Sequence, residues 1–222
     1  DCQQLRCAPT QCACGALSSD DCLQMFESVF ADARKSGLRT TVHCAEVFND
    51  SDTHNIISEF RPDRLGHTVC LVSDAINFCS QTLRVVLLQN ESAVKALLAK
   101  PIPIEICPTS NLKTRCVTDL SLHPFGSFYK SNYPMSDFSV LTLLSNVLGR
   151  IICTDDSGVF NISLSQEYHS LATTFDLSPS QLFSLAANGV EHIFADDAVK
   201  TALRKLFAHW REANAGLLAS AN

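Results

Sequence analysis

Leu38-Arg-Thr-Thr-Val-His-Cys-Ala-Glu46 is a short β-branched run that ends in residues able to bind metal or move protons. Three later stretches share its layout: Arg64-Leu-Gly-His67, Ile102-Pro-Ile-Glu-Ile-Cys-Pro-Thr-Ser-Asn111 and Arg150-Ile-Ile-Cys-Thr-Asp-Asp156. Short apolar runs bounded by loop residues are the pattern of strands buried in a parallel sheet. In a parallel α/β barrel the chemistry sits on loops at the carboxyl ends of the strands. Here His, Glu, Thr, Asn and two Asp all fall at that end of their runs, where chance would scatter them along the runs.

Helical patterns alternate with these runs. Leu23, Phe26 and Phe30 recur at helical spacing, and Asp20-Asp21 suits the amino end of a helix that closes near Gly37. Residues 51–60 read as a short helix, and residues 73–99 as a helix broken near Asn90. The third strand spans residues 101–107, with Pro101 and Pro103 at its start, where proline is tolerated. Residues 112–149 form a long connection with a helix-like piece at 138–148. Beyond Asp156, Ser163-x-x-Gln166 reads as a capping box, and Ser178-Pro179-Ser180-Gln181 repeats the signal. Asp196 then opens a helix whose Val199, Leu203, Leu206, Phe207 and Trp210 line one stripe. The class is α/β. Residues 1–18 lack periodicity and read as irregular, with residues 19–222 as the folded part.

Composition narrows the function classes. The chain has 222 residues, the size of one domain, whereas a full eight-stranded barrel takes about 250. No apolar stretch approaches the roughly 18 residues of a membrane span, and no signal peptide is expected. A net charge of −6 argues against general nucleic-acid binding, which needs a basic face. Eleven cysteines, odd in number and without a Cys-x-x-Cys pair, do not match a structural zinc site. They favour a reduced, cytoplasmic protein with buried thiols in its strands. The Asn-x-Ser sequons at Asn49, Asn90 and Asn161 would matter only in a secreted chain.

His43-x-x-Glu46 can hold zinc through a neutral imidazole and set a proton-transferring carboxylate beside it, or can simply be a capped strand end with a solvent-facing Glu. His67 after Leu65-Gly66 is a weaker signal, since single histidines are more often hydrogen-bonded structural residues. Asp155-Asp156 is the most telling pair. Adjacent carboxylates closing an apolar run repel each other unless a cation or substrate fills the gap. A helix amino cap is the structural alternative, but the nearest capping signal, Ser163, lies well downstream. Lys113 and Arg115 follow the third run and could meet a phosphate, although a solvated loop is the plainer reading.

Together, Thr-Val-His-Cys-Ala-Glu, Arg-Leu-Gly-His, Ile-Glu-Ile-Cys-Pro-Thr-Ser-Asn and Cys-Thr-Asp-Asp resemble the motifs of the adenosine/AMP deaminase family in order and rough spacing, from about residue 20 to 210. Thr109-Ser110-Asn111, Thr154-Asp-Asp-Ser-Gly-Val-Phe160 and Leu164-Ser-x-Glu167-Tyr168 look most like the adenosine deaminase-like branch, whose members act on N(6)-methyl-AMP and related nucleotides. The resemblance implies a TIM-type (β/α) barrel and a purine nucleoside or nucleotide as the small-molecule partner. It makes His43 and Asp155 ligands of one Zn2+ ion. It makes Glu46 the proton donor to the purine ring, has His67 orient and help deprotonate the attacking water, and has Asp156 bind substrate.

The chain departs from the family in two ways. Every histidine is at position 43 or later and none forms the His-x-His pair that supplies two further ligands, so the site is incomplete and the first half of the barrel is missing. Residues 130–149 read as an additional piece. Cys44-Ala45 stands where the family has Ala-Gly, expected as a tolerable change of bulk. The leading expectation is a zinc-dependent purine deaminase whose site is completed from elsewhere. The competing one is a non-catalytic relative that binds a nucleotide or partner. A two-metal amidase on the same barrel is disfavoured, because no Lys ends any of the runs.

Overall fold

The computed structural model describes residues 5–7, 19–46, 49–71, 91–129 and 149–219. Five parallel strands lie side by side in chain order. They are β1 (Leu5–Cys7), β2 (Thr40–Cys44), β3 (Arg64–His67), β4 (Ile104–Ile106) and β5 (Arg150–Ile152). Parallel neighbours in chain order, joined through helical connections, are the winding of a (β/α) barrel. The register sets Val42 beside Leu65, Leu65 beside Ile104 and Ile106 beside Ile152. These side chains are almost fully buried, as the apolar runs require. Among the described strands, β1 and β5 each pair on one side only, so the sheet has two open edges.

One expectation is corrected at the amino end. Residues 5–7 form a strand beside β2 instead of an irregular segment. Three residues are too few to show a period, and pairing with an existing strand supplies the order that local sequence does not. β4 and β5 are also shorter than their apolar runs, so Cys107 and Cys153 follow strands rather than lying in them. Cys44 lies inside β2, and burial pushes its thiol up to about 12, which makes it an inert small hydrophobe. Of the helix expected over residues 73–99, the part before residue 91 falls outside the described residues, as does all but residue 149 of the additional piece expected at 130–149.

The helices follow the caps. α1 (Ser19–Lys35) ends at Gly37, whose φ of +75° allows the left-handed turn into β2. α2 (Asp50–Asn55), capped by the Asn49 side chain, runs into one π-helical turn at Ile56–Phe60. Phe60 stacks on Phe30 of α1 at 4.8 Å between centroids, and each buried ring contributes about 1.5–3 kcal/mol. α3 (Glu91–Ala99) packs against α2 and the π-helical turn and adds Ala93 and Leu97 to the core. Short helices α4 (Pro108–Lys113), α5 (Pro124–Tyr129) and α6 (Ser157–Phe160) follow. Both expected capping boxes are present, on α7 (Leu164–Phe175) and α8 (Pro179–Gly189).

Asp196 caps α9 (Asp197–Ala213), and α10 (Ala215–Ala219) completes the described chain. The apolar stripe of α9 packs against α8 only in part. Phe207 and Trp210 meet Phe183, with Trp210 stacked at 5.3 Å, while Leu206 and Val199 stay exposed.

Candidate functional site

The carboxyl ends of β2, β3, β4 and β5 point the same way, and the sequence motifs meet there. His43 is the fourth residue of β2, and its register partner on β3 is Gly66. A Cβ on Gly66 would stand 2.5 Å from the His43 ring carbon Cδ2. Glycine in Arg64-Leu-Gly-His67 is therefore the space that the neighbouring imidazole occupies. The rings of His43 and His67 meet edge to face at 4.4 Å. One ligand atom each from His43, Glu46 and His67 lies within 4.8 Å of the other two. His67 Nε2 lies 3.7 Å from Glu46 Oε2 and 3.8 Å from Asp155 Oδ2.

Backbone strain gathers at the same strand ends. Ala45, His67, Thr68 and Asp155 all have φ between 50° and 64°, half of the eight left-handed non-glycine residues described. Such positions cost of order 1–3 kcal/mol each and persist where surrounding bonds over-determine them. Thr68 N–H donates to the Cys44 carbonyl, Cys70 N–H to Ala45, and the Cys70 thiol to Glu46. Ala45 also corrects a sequence expectation. Its φ of 51° shows that Gly-to-Ala at this place is a backbone change as well as one of bulk.

Electrostatics suit a site that holds metal and moves protons. Burial, then the neighbouring His67, pushes the His43 pKa below the usual imidazole value, and burial does the same for His67. Both rings are held neutral, the form that ligates metal. Burial raises the Glu46 carboxyl, with His43 opposing and Asp155 reinforcing. A carboxyl so raised is poised to carry a proton.

The two aspartates part company. Asp155 faces the histidines and accepts a hydrogen bond from Ser110 Oγ at 2.8 Å. Asp156 is exposed and caps α6, its Oδ1 accepting from Val159 N–H at 3.1 Å. The helix-cap reading, set aside on sequence for want of a nearby helix, therefore describes Asp156. A four-residue helix is too short to announce itself by periodicity.

Several residues around the site escaped sequence reasoning. Arg64 and Glu105, the unassigned polar members of two motifs, pair at 2.7 Å within the sheet, and Thr41 Oγ1 donates to Glu105 at 3.1 Å. Arg64 also stacks on Phe194 and donates to the His192 carbonyl. Glu167, fully buried on α7, accepts from the Thr109 N–H and hydroxyl and so fixes α4. On α4, Asn111 bonds to His67 at 3.0 Å and to His123 at 3.1 Å. The charge of Arg64 and Glu105 and the Asn in Thr-Ser-Asn were visible signals, but only the register shows whom they face. Lys113 turns to the Phe160 carbonyl.

The chain is similar to known proteins over most of its length. The chain is 33% identical to N6-methyl-AMP deaminase of Bos taurus over 83% of its length, covering 45% of that protein. It is 32% identical to N6-mAMP deaminase of Arabidopsis thaliana over 79% of its length, covering 40% of that protein. The solved Arabidopsis ADAL complexed with IMP superposes with a TM-score of 0.65 at 28% identity, over 86% of this chain and 46% of that one. Adenine deaminase of Arthrobacter aurescens shares the fold at a TM-score of 0.65 and 21% identity, over 89% and 51% of the two chains. The chain thus spans about half the length, or less, of the relatives it matches. The fold is that of their TIM-type barrel. The adenosine deaminase family model matches residues 16–210, so this chain belongs to the adenosine deaminase family.

Proposed function

We propose that the protein is a zinc-dependent hydrolytic deaminase of purine nucleotides, with N(6)-methyl-AMP as the preferred substrate. The observation that carries the reading is the convergence of His43, Glu46, His67 and Asp155 at the carboxyl ends of three strands of one sheet, in a chain whose relatives bear that activity in their names. The donor set, neutral imidazoles beside carboxylates, fits zinc, which takes His nitrogen and Asp or Glu oxygen. His43 and Asp155 would hold the ion, and Ser110 fixes the Asp155 carboxylate. When bound, zinc supplies the Lewis acidity that makes water a nucleophile near neutral pH.

The chain's own residues do the rest. Glu46, whose carboxyl burial shifts towards the protonated form, donates to the purine ring nitrogen beside the attacked carbon. That leaves the carbon electrophilic, and the amine departs as methylamine or ammonia. His67 holds the attacking water beside Asp155. Asp156, oriented by its cap to Val159, meets the substrate from the rim. A catalytic zinc site normally has three or more protein ligands, so His43 and Asp155 need completion from outside these 222 residues.

No helix among the described residues is long and apolar enough to cross a membrane. The burial of the Cys44 and Cys107 thiols beside the strands supports a reducing, cytoplasmic setting.

The test supplies the chain with zinc and the amino-terminal half of a relative, and follows methylamine release from N(6)-methyl-AMP beside ammonia release from AMP and adenosine. Methylamine release as the fastest of the three supports the reading. Stoichiometric zinc with no release from any substrate favours a non-catalytic relative instead. That second reading draws on the engagement of Asp156 as a helix cap.

A further inference from the structure

A buried chain of hydrogen bonds runs from the backbone of α5 to the site histidine. Phe125 N–H donates to His123 Nδ1 at 3.0 Å. His123 Nε2 lies 3.1 Å from Asn111 Oδ1, and Asn111 Nδ2 lies 3.0 Å from His67 Nδ1. His67, Asn111 and His123 are each no more than 3% exposed, so water cannot substitute for any partner. Imidazole tautomers and amide orientations follow from their networks, and this network begins at a group with only one possible role. A backbone amide can only donate.

The rest follows by alternation. His123 Nδ1 must be the bare nitrogen, and burial, with His67 opposing a second charge, holds its pKa down at about 4. Neutral His123 then carries its proton on Nε2 and donates to Asn111 Oδ1. The Asn111 amide must present its NH2 to His67, which makes Nδ1 of His67 the acceptor.

We infer that Asn111 and His123 are positioning residues that lock His67 as the Nε2–H tautomer, so that His67 donates a hydrogen bond into the site and is neither a metal ligand nor, while neutral, a base. The inference rests on the reading of His67 as a site residue and sharpens its role. Although His67 lies among the three residues close enough to share a metal, ligation through Nε2 would need a bare Nε2 and a proton on Nδ1. That proton would face the Asn111 NH2. Turning Asn111 round would present its NH2 to His123 Nε2–H, and reversing His123 would set its Nδ1–H against Phe125 N–H. Every arrangement but one puts two buried donors face to face. Proton removal from water then falls to a group other than His67.

The test reads ring-nitrogen NMR signals of the nitrogen-15-labelled chain at a pH where the imidazoles are neutral, with His67 assigned through His67→Gln. His67 should show a bare Nδ1 and a protonated Nε2. Excess zinc should leave that proton in place. Asn111→Asp offers oxygens to both histidines and should switch His67 to the Nδ1–H form. His123→Gln, whose amide can still donate to Asn111, should keep the Nε2–H form, whereas His123→Leu should yield a mixture. A wild-type His67 with Nδ1–H, loss of the Nε2 proton on adding zinc, or an unchanged tautomer in Asn111→Asp overturns the inference. The wild-type measurement needs no variant to fold. Since it uses neither substrate nor turnover, the tautomer can hold even if deamination is never observed, which separates this inference from the functional reading.

Discussion

Ser110 Oγ donates to Asp155 Oδ2 at 2.8 Å, tying the first turn of α4 to the strand-end loop after β5. Ser110 is fully buried, so this bond aims a carboxylate that would otherwise swing between solvent and the histidines. Ser110→Ala should cost about 1.5–3 kcal/mol, the range for a hydrogen bond to a charged group, read as a lower urea midpoint. It should also weaken zinc binding by about 10–100-fold in the completed protein, the effect of losing a group that orients a ligand. An unchanged zinc affinity would remove Asp155 from the ligand set.

Gly66→Ala tests the packing of the site independently of its charges. The new methyl must displace the His43 ring, and overpacking of this kind costs about 1–3 kcal/mol. Metal affinity should fall with stability, because the imidazole that moves is the proposed ligand. Gly149→Ala is the control: its added Cβ would meet the His192 side chain, away from the site, so stability should fall and metal binding should not. Equal loss of metal in both variants would show that the effect is general unfolding.

What could be read from sequence divides along physical lines. The strands at Val42, Leu65, Ile104 and Ile152 were legible because burial on both faces leaves an apolar run, and the caps at Ser163, Ser178 and Asp196 because a side chain must meet an orphan amide. His43, Glu46, His67 and Asp155 stood out as polar groups closing such runs. The Arg64–Glu105 pair and the Asn111–His123 relay did not, since each joins residues on different elements whose contact depends on register. The helix cap at Asp156 was missed because α6 has a single turn, and the strand at Leu5–Cys7 because its order comes from β2.

His123 should set part of the acid sensitivity of the fold. Its pKa falls from 6.5 in the unfolded chain to about 4 when buried, so between those values the unfolded state binds more protons. Its contribution is fully present above pH 6.5 and is lost as pH falls towards 4, about 3 kcal/mol in all at 1.36 kcal/mol per unit. His43 and His67 shift in the same direction and add to the slope. Urea unfolding followed across this window should show stability rising with pH, and His123→Gln should flatten the rise. The same slope in wild type and variant would assign the acid sensitivity to other groups.

Glu46 and Asp155 both border the histidines, yet the proposal gives them different work. Glu46→Gln removes a proton donor and no ligand. In the completed enzyme, turnover of N(6)-methyl-AMP should drop by about 10²–10⁴-fold, the usual contribution of general acid catalysis, with zinc content unchanged. Asp155→Asn offers a neutral amide where a carboxylate held the ion, so metal and activity should disappear together. The measurements are methylamine release and zinc by elemental analysis on the same samples. The geometry makes the comparison sharp, because Glu46 sits within ligand distance of both His43 and His67. If Glu46→Gln sheds zinc as Asp155→Asn does, Glu46 is a ligand, and the proton must come from another group.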